Sequence, residues 1–288
     1  MSTHPTPRAP TSTAATAATA PMGRRRALTL LAGAGASVIA LAACGRDGGD
    51  AATATTTSTT ADGGAPGPGG ARPGGGGVAD DGVGIPEETA GPFPGDGSNG
   101  PNVLTQEGVV RRDIRSSFGS ASATADGVPL TIDLTVVDAE TEAPRSGAAV
   151  YVWHCDRAGR YSMYGDGVTG ENYLRGVQEA GADGRLTFTT IFPAAYPGRW
   201  PHIHVEVYPD LAEATSAGTP TTTSQIALPE DVCDAVYATD GYDQSVSNMA
   251  RTSLASDNVF GDDGGVEQLA TMSGTVAGGL TASLTVPV

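Results

Sequence analysis

The 288-residue sequence has no lysine. All 16 basic residues are arginine, against 32 Asp and Glu, for a formal charge of −16. Four of those arginines precede residue 44, where there is no acidic residue, so the remainder carries 12 basic against 32 acidic side chains. A surface this acidic repels a phosphate backbone and excludes a nucleic-acid partner. Cysteine is scarce: Cys44, Cys155 and Cys233 are the full set, and they are not spaced as a zinc motif. Aromatic residues make up 5% of the chain. No stretch sustains a long helical period, which points away from an all-helical fold.

What is present begins with an address. Arg24-Arg25-Arg26 precede an apolar run, residues 27–43, that ends in Leu41-Ala42-Ala43-Cys44. Basic residues, an apolar segment and small residues at a cleavage point make an export signal. The arginines resemble a twin-arginine signal. The ending resembles a bacterial lipobox, in which Cys44 is lipidated and becomes the mature N-terminus. The alternative is an uncleaved anchor, since the run is near the lower limit for spanning a bilayer. Either way the body of the protein is expected outside the cytoplasm, lipid-anchored at the cell surface or on the periplasmic side of a bacterial membrane. Translation starts at Met1 or at Met22. Residues 44–83 are Gly, Ala, Thr, Pro and Asp with almost no large apolar side chain, a composition that cannot offset ordering entropy. They read as a flexible tether of about 35 Å r.m.s. span.

Residues 84–288 read as the folded domain. Residues 130–136 alternate apolar and polar, the period of a half-buried strand. Further strands are expected at 148–153, 185–191, 202–208 and 224–228. Residues 272–277 and 280–286 flank Gly278-Gly279 as a hairpin. Helix is expected around residues 229–237. The pattern predicts a mainly β fold, an antiparallel β-sandwich with short helical segments and long loops.

His202-Ile203-His204 lies on a predicted strand, where residues i and i+2 share a face. The imidazoles should converge, with Ile203, Val205 and Val207 facing the core. The loop before them, residues 193–201, holds Tyr196 and Arg199. The strand ending at Trp153 runs into Cys155-Asp156-Arg157-Ala158-Gly159-Arg160-Tyr161-Ser162.

These two clusters carry a resemblance. The stretch Trp153 to Ser162, with Gly159 and Tyr161 at its end, resembles the Trp-x-x-x-x-x-Gly-x-Tyr segment of the intradiol ring-cleavage dioxygenases, the family of catechol and protocatechuate dioxygenases. Tyr196-Pro197-Gly198-Arg199 followed by His202-Ile203-His204 resembles their second cluster. The likeness spans roughly residues 88–236. It implies an Fe(3+) cofactor held by Tyr161, Tyr196, His202 and His204, with Tyr161 and His204 equatorial and Tyr196 and His202 axial. It implies catalytic roles for Tyr196, which would take a substrate proton, for Arg199, which would balance charge at the bound ring, and for Gln225 beside it. The partners it implies are a catechol-type substrate and O2, with ring opening to a muconate-type product. Phenolate oxygens suit a hard ferric ion, and neutral imidazoles complete the set without adding charge. The membrane enters only through Cys44. Oligomeric state stays open, a homodimer included, because the tether occupies the place of the family's helical dimerisation region.

Other residues stay open between two readings. Cys155 and Cys233, outside the cytoplasm, are expected as a disulfide, the alternative being two buried thiols. Thr89 to Phe93 and Arg111, Arg112 and Arg115 resemble the family's entry segment and a pocket wall, or else the arginines form a solvated cluster. Trp200 touches substrate or covers the site, and Tyr164 lines the pocket or packs. His154 and Trp153 read as structural. The competing functions are a lipid-anchored, non-catalytic β-sandwich binding module, in which the four donors do not meet, and a zinc hydrolase using His-x-His with a third His or carboxylate.

Overall fold

The computed structural model describes residues 84–288; the expected export signal, Cys44 and the tether lie outside them. Two four-stranded sheets face each other. One has the order β4-β1-β8-β7, from β1 (Pro129–Val137), β4 (Arg185–Ile191), β7 (Thr271–Thr275) and β8 (Gly279–Pro287). The other has the order β3-β2-β5-β6, from β2 (Ala149–Trp153), β3 (Arg175–Glu179), β5 (His202–Tyr208) and β6 (Thr222–Ala227). Every pair is antiparallel except β1 with β8, where the C-terminal strand inserts parallel to the first. The mainly β sandwich expected from the alternation is thus the fold observed.

The core between the sheets is made by strand alternation. Leu130, Ile132, Leu134 and Val136 of β1 meet Val150 and Val152 of β2 and Ile203, Val205 and Val207 of β5, all buried. Gly278 lies in the turn of the expected hairpin, in which Thr275 pairs with Gly279 at the start of β8.

Three helices follow β5: α1 (Leu211–Thr215), α2 (Glu230–Tyr237) and α3 (Asp243–Met249). Only α2 was expected. The others are five and seven residues long, too short to show a period, and they hold by packing rather than propensity. Strand β3 also went unread, because Arg-Gly-Val-Gln-Glu carries one apolar side chain. Among the described residues no helix is long and apolar enough to cross a membrane.

The expected disulfide is not formed. Cys155 and Cys233 are both buried free thiols. They belong to different apolar clusters, and each Sγ meets a carbonyl instead, Ala194 O at 3.5 Å and Leu228 O at 3.8 Å. Burial pushes the Cys155 thiol up to about 12.

Candidate metal centre

β5 is central, between β2 and β6, and every one of its residues is buried. Its outward-facing His202 and His204 therefore lie under other chain segments rather than in solvent. Tyr161 comes from the loop after β2. Asp156 organises that loop: Oδ1 accepts from Ala158 N and Arg160 N, and Oδ2 from the Arg160 guanidinium and Tyr173 Oη. Gly159 has φ +81°, and a Cβ there would sit 3.3 Å from Tyr196 Cβ, so a small residue lets the two tyrosine loops touch. Tyr196 comes from the loop between β4 and β5. α2 and α3 pin that loop: Tyr237 donates to Pro193 O, Tyr242 to Phe192 O, Asn248 to Ala195 O, and Ser245 Oγ accepts from Ala195 N.

The four expected donors meet. Tyr161 Oη lies 3.2 Å from His204 Nε2, 3.4 Å from His202 Nε2 and 3.4 Å from Tyr196 Oη. Tyr196 Oη lies 3.1 Å from His202 Nε2, and the two Nε2 atoms are 3.2 Å apart. A point common to Tyr161 Oη, His202 Nε2 and His204 Nε2, so spaced, is about 2 Å from each, a transition-metal bond length to N or O. The His202 Nδ1–H donates to Trp200 O, which leaves its Nε2 lone pair facing the cluster. The His204 ring stacks on Trp153, centroids 4.7 Å apart and planes 3° apart.

Burial holds all four donors in their neutral forms when no cation is bound. Burial, then the Arg199 charge, lowers His202 to about 3, and burial with His202 and Arg199 takes His204 well below its ordinary value. Both rings are neutral donors. Burial raises Tyr196 to about 12, partly offset by Arg199, and takes Tyr161 well above its ordinary value. Only a strongly positive ion would release those phenol protons, and the donor set fits one.

The zinc alternative finds no residues. Among the described residues no group of three His, Cys, Asp or Glu could hold a metal, since two of the four donors are phenols. His154 is occupied by Cys155 O at 2.8 Å and Thr190 Oγ1 at 2.7 Å.

Around the donors, Arg199 donates to Gln225 Oε1 at 2.6 Å, and Gln225 Nε2 donates to Thr89 O at 2.8 Å. Gly91 sits where a Cβ would lie 3.3 Å from the His204 ring, and the Phe93 ring packs 5.1 Å from that of Tyr161. The 89–93 segment is thus a wall of the site. Arg111 is half-buried against the carbonyls of Arg175 and Asn172, while Arg115 makes the exposed pair with Asp113 that the solvated reading expects. Trp200 is core, its Nε1 donating to Leu228 O. Tyr164 is held by Gly95 N and Asn99 at the edge.

Sequence reasoning missed two residues that hold the site together. Asp257 binds Arg199 Nε at 2.9 Å. Arg175, fully buried, donates to Phe93 O, Pro94 O, Ser162 O, Ser162 Oγ and Tyr151 Oη, tying the wall to the Tyr161 loop. No local pattern marks an arginine that bonds to carbonyls far away in the chain.

The chain resembles known dioxygenases in sequence and in fold. A family model described as Dioxygenase (Dioxygenase_C) matches residues 101–209. A solved intradiol ring-cleavage dioxygenase from Tetranychus urticae superposes with a TM-score of 0.56 and 25% identity, covering 70% of this chain and 92% of that one. In sequence over these residues and in fold, this chain is similar to the intradiol ring-cleavage dioxygenases. Another solved dioxygenase gives a TM-score of 0.55 at 26% identity, covering 70% and 91%. Catechol 1,2-dioxygenase 1 of Acinetobacter lwoffii is 33% identical over 95 residues, 33% of this chain and 28% of that protein. The chain thus spans little more than a quarter of the curated relative it matches.

Proposed function

We propose that the protein is an iron(III)-dependent intradiol dioxygenase that opens a catechol-type ring between its two hydroxylated carbons, using O2 and yielding a muconate-type diacid. The observation that carries the reading is the convergence of Tyr161, Tyr196, His202 and His204. A non-catalytic module would have no need to bring two phenols and two imidazoles together in a buried place.

Iron(III), when bound, supplies the Lewis acidity that stabilises phenolate and catecholate oxygens and draws electron density from the ring. Tyr161 and His204 are buried and hold the inner side of the site. Tyr196 is only half-buried, and its Oη takes the proton that a substrate hydroxyl gives up. The Arg199 guanidinium, fixed by Asp257 and Gln225, stabilises negative charge that develops on the substrate. Trp153, Gly91 and Phe93 exclude water from the His204 and Tyr161 side.

The test is the visible spectrum of the purified iron(III)-loaded protein, with catechol added anaerobically and then in air. A phenolate charge-transfer band that catechol shifts, with ring-opened product in air, is the expected result, and Tyr161→Phe should remove most of that band. A protein that stays colourless after iron loading sinks the reading. The curated relative's name supports catechol as the first substrate to try. Export and anchoring rest on Arg24 to Arg26 and Cys44; Cys44→Ala should move the protein from the membrane fraction to the soluble one.

A further inference from the structure

Asp257 lies 58 residues beyond Arg199 in sequence, just after a 3-10 turn at Leu254–Ser256. Its side chain is fully buried and takes four donors. Oδ2 accepts from Arg199 Nε at 2.9 Å and Trp200 N at 2.6 Å, and Oδ1 accepts from Val259 N at 2.9 Å and Phe260 N at 3.2 Å. Burial alone would raise this carboxyl, but the bonds from Arg199 and Trp200 outweigh it and hold it below the ordinary carboxylate range. It is therefore an anion with every lone pair committed.

One carboxylate oxygen thus fixes two neighbours that serve the donor cluster differently. Arg199 continues to Gln225, and its charge acts on Tyr161, Tyr196, His202 and His204 alike. Trp200 turns its carbonyl to the His202 Nδ1–H and so sets that ring's tautomer and angle. His204 has no such tie: its Nδ1 is buried without a hydrogen-bond partner among the described residues, and its ring is held by stacking on Trp153.

We propose that Asp257 is a positioning residue that locks Arg199 and His202 into one unit, so that the guanidinium and the imidazole are set by a single buried charge. Its catalytic consequence rests on the dioxygenase reading; its structural part does not. The neutral Asp257→Asn presents an NH2 group to N–H donors on one side or the other, and so releases either the Arg199–Trp200 pair or the 259–260 turn.

The experiment uses the full-length protein in two states. In the metal-free protein, 15N NMR should find the Arg199 Nε–H protected from exchange and His202 protonated at Nδ1. In Asp257→Asn that protection should be lost and the His202 tautomers should mix. In the iron-loaded protein, kcat/KM for catechol should fall about tenfold or more, and adding Arg199→Gln should lower it little further, as for residues in one network. If the NMR signals of Asp257→Asn match the parent, or the two substitutions act additively, Asp257 merely caps its own turn and the proposal is overturned. If the NMR changes appear but neither protein opens catechol, the positioning role stands and the dioxygenase reading falls. Should Asp257→Asn not fold, Asp257→Glu, which keeps the charge but displaces the oxygens, serves in its place with the same expected outcomes.

Discussion

The two sheets share a core but differ on their outer faces. On the β4-β1-β8-β7 sheet, Thr131, Asp133 and Thr135 of β1, Thr187 and Thr189 of β4, Thr281, Ser283 and Thr285 of β8 and Thr271, Ser273 and Thr275 of β7 face outward, partly or fully exposed. On the β3-β2-β5-β6 sheet the outer face is a second apolar cluster. Tyr151, Trp153, Val177 and Tyr208 lie under Val103, Leu104, Val109 and Ala214. A sheet with one wet face needs only alternation. A sheet buried on both faces can keep polar side chains such as His202, His204 and Glu206 out of water, provided loops supply partners. The donor cluster sits on the covered sheet because only there are its side chains desolvated and held.

That contrast can be broken on the covered side. Arg175→Met strands the carbonyls of Phe93 and Ser162, leaving Pro94 O only its bond from Tyr151 Oη, and should cost about 3–5 kcal/mol by urea unfolding, since each buried acceptor left alone costs about 1–3. An unchanged midpoint would mean the wall is held by packing alone.

His154, just after β2, sharpens it through pH. Burial lowers this ring to about 4 from an ordinary 6.5. The unfolded chain therefore takes up the proton more readily, so the stabilising contribution is complete above about pH 6.5 and is lost as pH falls towards 4. The stability advantage of the parent over His154→Gln should shrink by about 3 kcal/mol across that window. A difference independent of pH would show the ring to be accessible to protons in the folded state.

A smaller effect is expected at the wall itself. Gly91 has φ +71°, and a methyl there presses on the His204 ring, so Gly91→Ala should weaken iron(III) binding about tenfold by equilibrium titration. Unaltered affinity would place the wall further from the donors than these contacts imply. The smallest effect belongs to the open sheet: Thr281→Ala should change stability by no more than about 0.5 kcal/mol in thermal melts. A larger loss there would mean that something covers the threonine face.

The sequence by itself determined the strands whose alternation is strong, and with them the sandwich. β1, β4 and β8 are legible because one side chain in two must leave water, a demand that acts within a few residues, and β5 shows the same apolar–polar alternation in sequence although both its faces are covered. The donor set was legible only in part from the residues themselves: strand geometry puts His202 and His204 on one face, while Tyr161 and Tyr196 were assigned through the resemblance of their two motifs to a known family. Only the tertiary structure decided the rest. It joined β8 to β1 in parallel, left Cys155 and Cys233 as separate thiols, made a strand of Arg175–Glu179 and brought Asp257 to Arg199. Each of these depends on partners far away in the chain. A buried charge such as Arg175 or Asp257 reads as an exposed one until the folded chain shows which distant carbonyls, amides or side chains replace the water it lost.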